Sequence, residues 1–245
     1  MTVISLLLLG SLLPHLSYSI SENGTEARPH SRPYMVSVQE NGKHTCGGFL
    51  ISDQFVMTAS HCHTDEALTV LTGVHDLTKK GRTIRFNVKS YHLHLDHTTG
   101  NKADLMILEL DEKVQLNDTV KTIPIPTTPE EIEVDTNCSI AGWGELSHYG
   151  PISLTLREAD MMIMNNTECQ TQWEDVYIPS QMICVYSEGG ICLGDSGGPL
   201  VCNNTAVGIT AFGSENYCND PDQPNVFTKI SEFLPWIQNV ISSSN

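Results

Sequence analysis

Basic residues are scarce in this chain: 13 lysines and arginines stand against 29 aspartates and glutamates, a formal charge of −16 over 245 residues. Such a surface repels DNA, RNA and sulfated polysaccharides at long range, which excludes a nucleic-acid partner and argues against storage on heparin-like polymers. Low-complexity stretches are absent and 40% of the residues are hydrophobic, which excludes a disordered chain. No Cys-x-x-Cys pair occurs, which removes the usual signature of a thiolate metal site. Beyond the first residues no apolar run is long enough to cross a bilayer.

What is present points to the secretory route. Val3 to Leu13 is almost wholly apolar yet too short to span a membrane, and Ser17 and Ser19 sit at the spacings that signal peptidase reads. Residues 1–19 are therefore predicted to be a cleaved leader, and the mature protein to be extracellular or held in secretory granules, with no membrane association. Eight cysteines follow, at Cys46, Cys62, Cys138, Cys169, Cys184, Cys192, Cys202 and Cys218. An even number behind a leader predicts four disulfides, whose pairing the residues alone leave open. Five Asn-x-Ser/Thr sequons, at Asn23, Asn117, Asn137, Asn165 and Asn203, fit the same route. Asn137 adjoins a cysteine and is expected to stay unmodified.

Short β-rich runs alternate with turn signals: Tyr34–Gln39, Gly48–Ile51, Leu68–Thr72, Ile84–Val88, Leu105–Leu110, Ser139–Ala141 and Ala206–Phe212. This spacing predicts an all-β sandwich or barrel. Helical periodicity is clear only at the C-terminus, over Ser231 to Val240, with Ser231 as the expected N-cap and Pro235 confined to the first turn. The proline-rich stretch from Ile123 to Pro129 reads as an extended connector, dividing the mature chain into halves at 20–122 and 123–245.

Three segments carry chemistry. Gly194-Asp195-Ser196-Gly197-Gly198-Pro199-Leu200 is a tight turn whose glycines let backbone N–H groups converge beside a serine. A Gly-Ser-Gly turn alone would be unremarkable; the seven-residue string is specific. Thr58-Ala59-Ser60-His61-Cys62 offers an imidazole that titrates near neutrality, next to a cysteine able to anchor it. Asp104 leads the apolar run that begins at Leu105, where a carboxylate can be buried to orient an imidazole. A nucleophile, a base, an orienting group and oxyanion donors are the parts that acyl transfer requires.

In the order His61, Asp104, Ser196, these segments resemble the chymotrypsin-like serine proteases of the trypsin family. The likeness extends to Cys46-Gly47-Gly48, Gly142-Trp143-Gly144 and Pro235-Trp236-Ile237. Within the family, Glu26-Ala27-Arg28-Pro29-His30-Ser31-Arg32-Pro33-Tyr34-Met35 and Gly48-Phe49-Leu50-Ile51-Ser52 resemble the granzyme and mast-cell protease branch. The resemblance implies an all-β fold of two six-stranded antiparallel barrels with a C-terminal helix. It implies the pairs Cys46–Cys62, Cys138–Cys202, Cys169–Cys184 and Cys192–Cys218. It also implies a secreted serine endopeptidase that works through an acyl-enzyme, with the amides of Gly194 and Ser196 as oxyanion hole. Its partners would be protein or peptide substrates and serine protease inhibitors; the protein would be a monomer without cofactor or metal.

By the same resemblance Gly190 occupies the floor of the substrate pocket, where Arg/Lys-specific relatives carry aspartate. Ile191, Gly213 and Asn225 complete a pocket without charge, which predicts an uncharged P1 residue rather than Arg or Lys.

The sequence departs from the family at the amino terminus. Relatives begin their mature chain with Ile-Val or Ile-Ile two residues before Gly-Gly or Asn-Gly, and the freed amine pairs with the aspartate preceding the nucleophile, here Asp195. In this chain Ser21-Glu22 precedes Asn23-Gly24, and Ile20 lies one residue further out. Either cleavage after Ser19 lets Ile20 reach Asp195, or the protein remains a zymogen-like binding protein. Ala211 stands where most relatives carry a serine bonded to the triad aspartate, a loss of roughly 0.5–1.5 kcal/mol. Ser60, in place of the commoner alanine, is expected to matter little. Val74 in Gly73-Val74-His75-Asp76 replaces the glutamate with which some relatives bind calcium, and His92, His94 and His97 read as solvated loop residues rather than a zinc site.

Overall fold

The computed structural model describes residues 24–79, 81, 83–94, 103–129, 131–187, 191–214, 217–218, 220 and 222–243. The leader, Ile20, Asn23, His97 and Gly190 lie outside the described residues.

The first half closes into a barrel. Its strands are β2 (Met35–Glu40), β3 (Lys43–Leu50), β4 (Phe55–Thr58), β5 (Leu68–Thr72), β6 (Ile84–Leu93) and β7 (Met106–Leu110), joined in the order β2-β3-β4-β7-β6-β5 and back to β2. All pairings are antiparallel. Asn41-Gly42 turns β2 into β3 with both φ positive, +49° and +77°, the hairpin geometry that asparagine and glycine tolerate best. Val36, Val38, Phe49, Leu50, Met57, Ile107 and Leu108 fill the interior with no exposed surface.

The second half repeats the plan. Strands β8 (Asn137–Gly142), β9 (Arg157–Ile163), β10 (Met182–Tyr186), β11 (Pro199–Cys202), β12 (Thr205–Phe212) and β13 (Asn225–Lys229) run in the order β9-β10-β13-β12-β11-β8, and pairing of β8 with β9 closes the ring. The short strand β1 (Thr25–Glu26) adds to the outside of β9. The two barrels expected from the resemblance are thus present. Residues 123–129, the proline-rich connector, contain no strand or helix.

Among the described residues two α-helices accompany the barrels, α1 (Asn166–Trp173) and α2 (Leu234–Ser243). Helix α2 buries Leu234, Ile237 and Val240 in the first barrel's core cluster, which also takes in Val201, Ala206 and Ile209 of the second barrel. This shared core fixes one barrel against the other, and with it the cleft between them. The N-cap expected at Ser231 is not found: Ile230–Phe233 is a 3-10 turn without a side-chain cap, and α2 starts at Leu234. Proline explains the shift. A helix capped by Ser231 would need the missing N–H of Pro235 to reach the Ser231 carbonyl, whereas a start at Leu234 leaves Pro235 in the first turn, where no donor is required.

Four disulfides join Cys46 to Cys62, Cys138 to Cys202, Cys169 to Cys184 and Cys192 to Cys218. The first ties β3 to the turn carrying His61, and the last braces the turn carrying Ser196.

Candidate active site

His61 lies in the 3-10 turn Ser60–Cys62 immediately after β4, and Cys62 is buried and bridged. Asp104 lies between buried Ala103 and Leu105 just before β7, and its carbonyl accepts from Thr228 Oγ1 of β13 at 3.1 Å. The two side chains meet: His61 Nδ1 is 2.6 Å from Asp104 Oδ2. Asp104 Oδ1 accepts from the His61 backbone N–H at 2.9 Å and from Ser60 Oγ at 2.8 Å. Burial would raise the Asp104 pKa, but the hydrogen bond and charge of His61, then its backbone amide and Ser60, outweigh it and hold the carboxyl below its ordinary value. Burial likewise works to lower the His61 pKa, and Asp104 outweighs it, so the imidazolium is stabilised. With the proton of Nδ1 committed to Asp104, Nε2 is the nitrogen left to serve as base.

Ser196 is presented by a turn that only glycine permits at two points. Gly194 and Gly197 have φ of +96° and +80°, and a Cβ on Gly197 would lie 2.1 Å from Thr58 Oγ1. Two contacts orient the amides of this turn. The Leu193 carbonyl accepts from Glu145 N–H at 2.8 Å and the Asp195 carbonyl from Gly198 N–H at 3.0 Å. In trans peptides the N–H points opposite to the C=O, so the amides of Gly194 and Ser196 face away from these partners. Neither donates to a protein acceptor among the described residues. Behind them, half-buried His44 lies 2.9 Å from the Gly194 carbonyl through Nε2 and 2.8 Å from Ser37 Oγ through Nδ1. Burial lowers its pKa to about 4, so it is neutral at pH 7.

Asp195 points away from the cleft. Its Oδ1 accepts from Gly144 N–H at 2.8 Å and its Oδ2 from Cys192 N–H at 3.1 Å. A Cβ on Gly142 would lie 2.1 Å from Oδ1, and one on Gly144 2.4 Å from Oδ2, which gives the Gly142-Trp143-Gly144 motif its physical reason. Among the described residues no cation pairs with Asp195, and burial raises its pKa to about 6 despite the two amide donors. A small cavity beside it is bordered by Gly24, Gly144, Glu145 and Arg157.

Ser196 and His61 line one cleft of about 580 Å³. Ile191, Cys192 and Leu193 form one wall and Thr210 to Ser214 the other. Of the residues expected in the pocket, Ile191 and Gly213 line this cleft. Asn225 is buried directly behind Gly213, where a Cβ would come within 2.6 Å of its Oδ1. Glu145, His148 and Tyr149 also reach the cleft. They follow the Gly142-Trp143-Gly144 turn, but only the fold of the loop reveals their place. Ser60, expected on sequence to matter little, bonds Asp104 Oδ1 directly.

Other candidates are dispersed. His92 Nε2 faces Glu109 at 3.6 Å, while the ring of His94 packs edge-on against Phe233 and Trp236. Asp76 is engaged by Thr78 and Lys79, and His75 by Glu26. Cys46, His61 and Cys62 come within metal-ligand distance, but both sulfurs are spent in their disulfide.

Known proteins agree with this architecture. The family model for Trypsin matches residues 21–237. Mast cell protease 3 of Ovis aries is 38% identical over 244 residues, covering 96% of this chain and 95% of the relative. Granzyme-like protein 2 of Rattus norvegicus is 40% identical over 225 residues, covering 88% and 87%. Among solved structures, neuropsin, a serine protease expressed in the limbic system of mouse brain, superposes with a TM-score of 0.82 at 31% identity, covering 89% of this chain and 99% of that one. The chain belongs to the trypsin family and is a serine endopeptidase by descent.

Proposed function

We propose that this protein is a secreted endopeptidase in which Ser196, His61 and Asp104 form the catalytic triad and the amides of Gly194 and Ser196 the oxyanion hole. The observation that carries the reading is the 2.6 Å bond from His61 Nδ1 to Asp104, beside two unpartnered amides on the serine turn. Ser196 Oγ attacks the scissile carbonyl carbon as its proton passes to His61 Nε2. Asp104 stays ionised and supports the imidazolium. The oxyanion takes the two amides, and His61 returns the proton to the leaving amine. Water then releases the acyl group by the same steps in reverse. Ser196 and His61 share the cleft without a hydrogen bond, a separation that substrate binding closes.

The pocket reading is an uncharged P1 residue, supported by Ile191, Phe212 and Gly213 in the cleft walls and by the amide of Asn225 behind them. Glu145, the one carboxylate among the described lining residues, stands on the Leu193 side. The leader at 1–19, the halves at 20–122 and 123–245, the monomeric state and recognition by serine protease inhibitors belong to the same proposal.

A second reading follows from Asp195. Its carboxylate is half-buried and meets no cation among the described residues, so a chain whose Ile20 amine does not reach it is zymogen-like. Amino-terminal sequencing of the secreted protein, together with a fluorophosphonate probe of Ser196 and a P1 peptide library, tests both. Labelling of a chain that begins at Ile20, with cleavage after uncharged residues, supports the endopeptidase. An unlabelled chain supports the zymogen-like form, and a profile dominated by Arg or Lys overturns the pocket assignment.

A further inference from the structure

We propose that Ser60 is a positioning residue for the reaction, fixing the carboxylate of Asp104 so that Oδ2 alone addresses the imidazole; this rests on the reading of Ser196, His61 and Asp104 as a working triad. Ser60 is buried, with 1% of its surface exposed, and its hydroxyl donates to Asp104 Oδ1 at 2.8 Å. The same oxygen accepts the His61 backbone N–H at 2.9 Å, while Oδ2 holds His61 Nδ1 at 2.6 Å. Oδ1 is thus clamped by two neighbouring donors of one rigid turn, itself bridged to β3 through Cys62. A carboxylate rotates about one bond, so fixing Oδ1 fixes Oδ2. With Oδ1 held by a single amide, the carboxylate could swing and the imidazole would lose its orientation along with the Nδ1–H tautomer.

Among the described residues no donor from β12 or β13 reaches the Asp104 carboxylate. Ala211 of β12 lines the cleft beside His61 and presents a methyl group. Beside it, β13 contributes only Thr228, whose hydroxyl is bonded to the Asp104 backbone carbonyl rather than to the carboxylate. The hydroxyl that secures the aspartate is therefore supplied from the histidine's own turn. A hydrogen bond to a charged acceptor is stronger than one between neutral groups, so its loss is expected to register in turnover.

The test is a double-mutant cycle of Ser60→Ala and Ala211→Ser, measured as kcat/KM against pH. Ser60→Ala is expected to lower kcat/KM about tenfold, the lower end of what a charge-assisted hydrogen bond supports. It is also expected to move the acid limb to lower pH, because a carboxylate free to swing supports the imidazolium less well while burial still favours the neutral ring. In the Ser60→Ala background Ala211→Ser should recover most of the loss, judged against the Ala211→Ser single variant. A variant damaged only in packing would show neither the displaced limb nor rescue by a hydroxyl on the other barrel. Titration of the His61 ring by NMR reads the same shift without turnover. It separates the two ideas: an inactive wild type defeats the triad reading, whereas an unmoved His61 titration or a loss that Ala211→Ser does not repair defeats the role of Ser60.

Discussion

Acidification should stabilise this protein whenever its amino terminus is blocked, and Asp195 sets the size of the effect. The carboxyl is half-buried with two amide donors and no cation among the described residues, and desolvation raises its pKa from an ordinary 3.8 to about 6. The folded state then binds a proton that the unfolded chain does not hold between those values. Stability from this group is fully present below the unfolded pKa and is lost as pH rises through about 6. Each pH unit of displacement is worth about 1.4 kcal/mol, so ionised Asp195 costs about 3 kcal/mol at pH 8. Acidifying from pH 8 to pH 5 recovers about 1.4 kcal/mol of this, or roughly 3–6 °C in Tm for a chain of this size. His44 acts in the opposite sense, since its pKa is lowered to about 4 and its contribution rises with pH from there through its ordinary 6.5. The measurement is therefore the difference between Ser196→Ala and Ser196→Ala/Asp195→Asn, which share His44, by urea unfolding from pH 5 to 8 with the disulfides intact. An acetylated amino terminus should show the full gain. A free Ile20 amine that reaches Asp195 should abolish the gain and reverse its sign, because the cation pulls the carboxyl pKa down. An acetylated form whose stability relative to Asp195→Asn is flat across this range would refute the claim that Asp195 is desolvated without a compensating charge.

Two further outcomes test the site. Gly142→Ala places a methyl group 2.1 Å from Asp195 Oδ1, and displacing that carboxylate breaks its bonds to Gly144 and Cys192; a loss of about 3 kcal/mol or more in urea unfolding is expected, with little probe labelling of Ser196. The kcat/KM profile of the active form should have its acid limb above the ordinary histidine value of 6.5, because Asp104 raises the His61 pKa; a limb below 6.5 would mean that burial outweighs the aspartate.

Much of this architecture was legible in the residues. Leu68–Thr72 forms β5 at its expected bounds, and Ile84 and Met106 open strands within or beside the predicted runs. Helix α1 was missed because it has no apolar stripe: Cys169 is its one buried residue, and the helix rests on the Asn165 cap and the disulfide to Cys184. Strands β1, β4, β9, β10, β11 and β13 were not among the runs named from sequence; in β9 the charged residues Arg157, Glu158 and Asp160 break the apolar pattern. In the site, the segments around His61, Asp104 and Ser196 were recognisable because each packs its chemistry into a few consecutive residues. The bond from Ser60 to Asp104 was not, because it joins positions 44 residues apart. Glu145, His148 and Tyr149 escaped notice for the same reason: their place at the cleft comes from the path of a loop, not from any local pattern.

Two half-buried aspartates decide how the site behaves, and their surroundings drive them apart. Asp104 meets an ionisable partner, a backbone amide and a hydroxyl, and is held in the charged form. Asp195 meets two amides alone, and burial prevails over them. The base side of the machinery therefore needs nothing beyond the residues already in contact. The nucleophile side is conditional, because Asp195 N–H and C=O are part of the turn that sets the amide of Ser196. A positive charge delivered to Asp195 would convert its desolvated carboxylate from a cost into a fixed anchor for that turn. Activity in this chain is thus expected to depend on one amine reaching one carboxylate, while the histidine, its aspartate and Ser60 remain assembled either way.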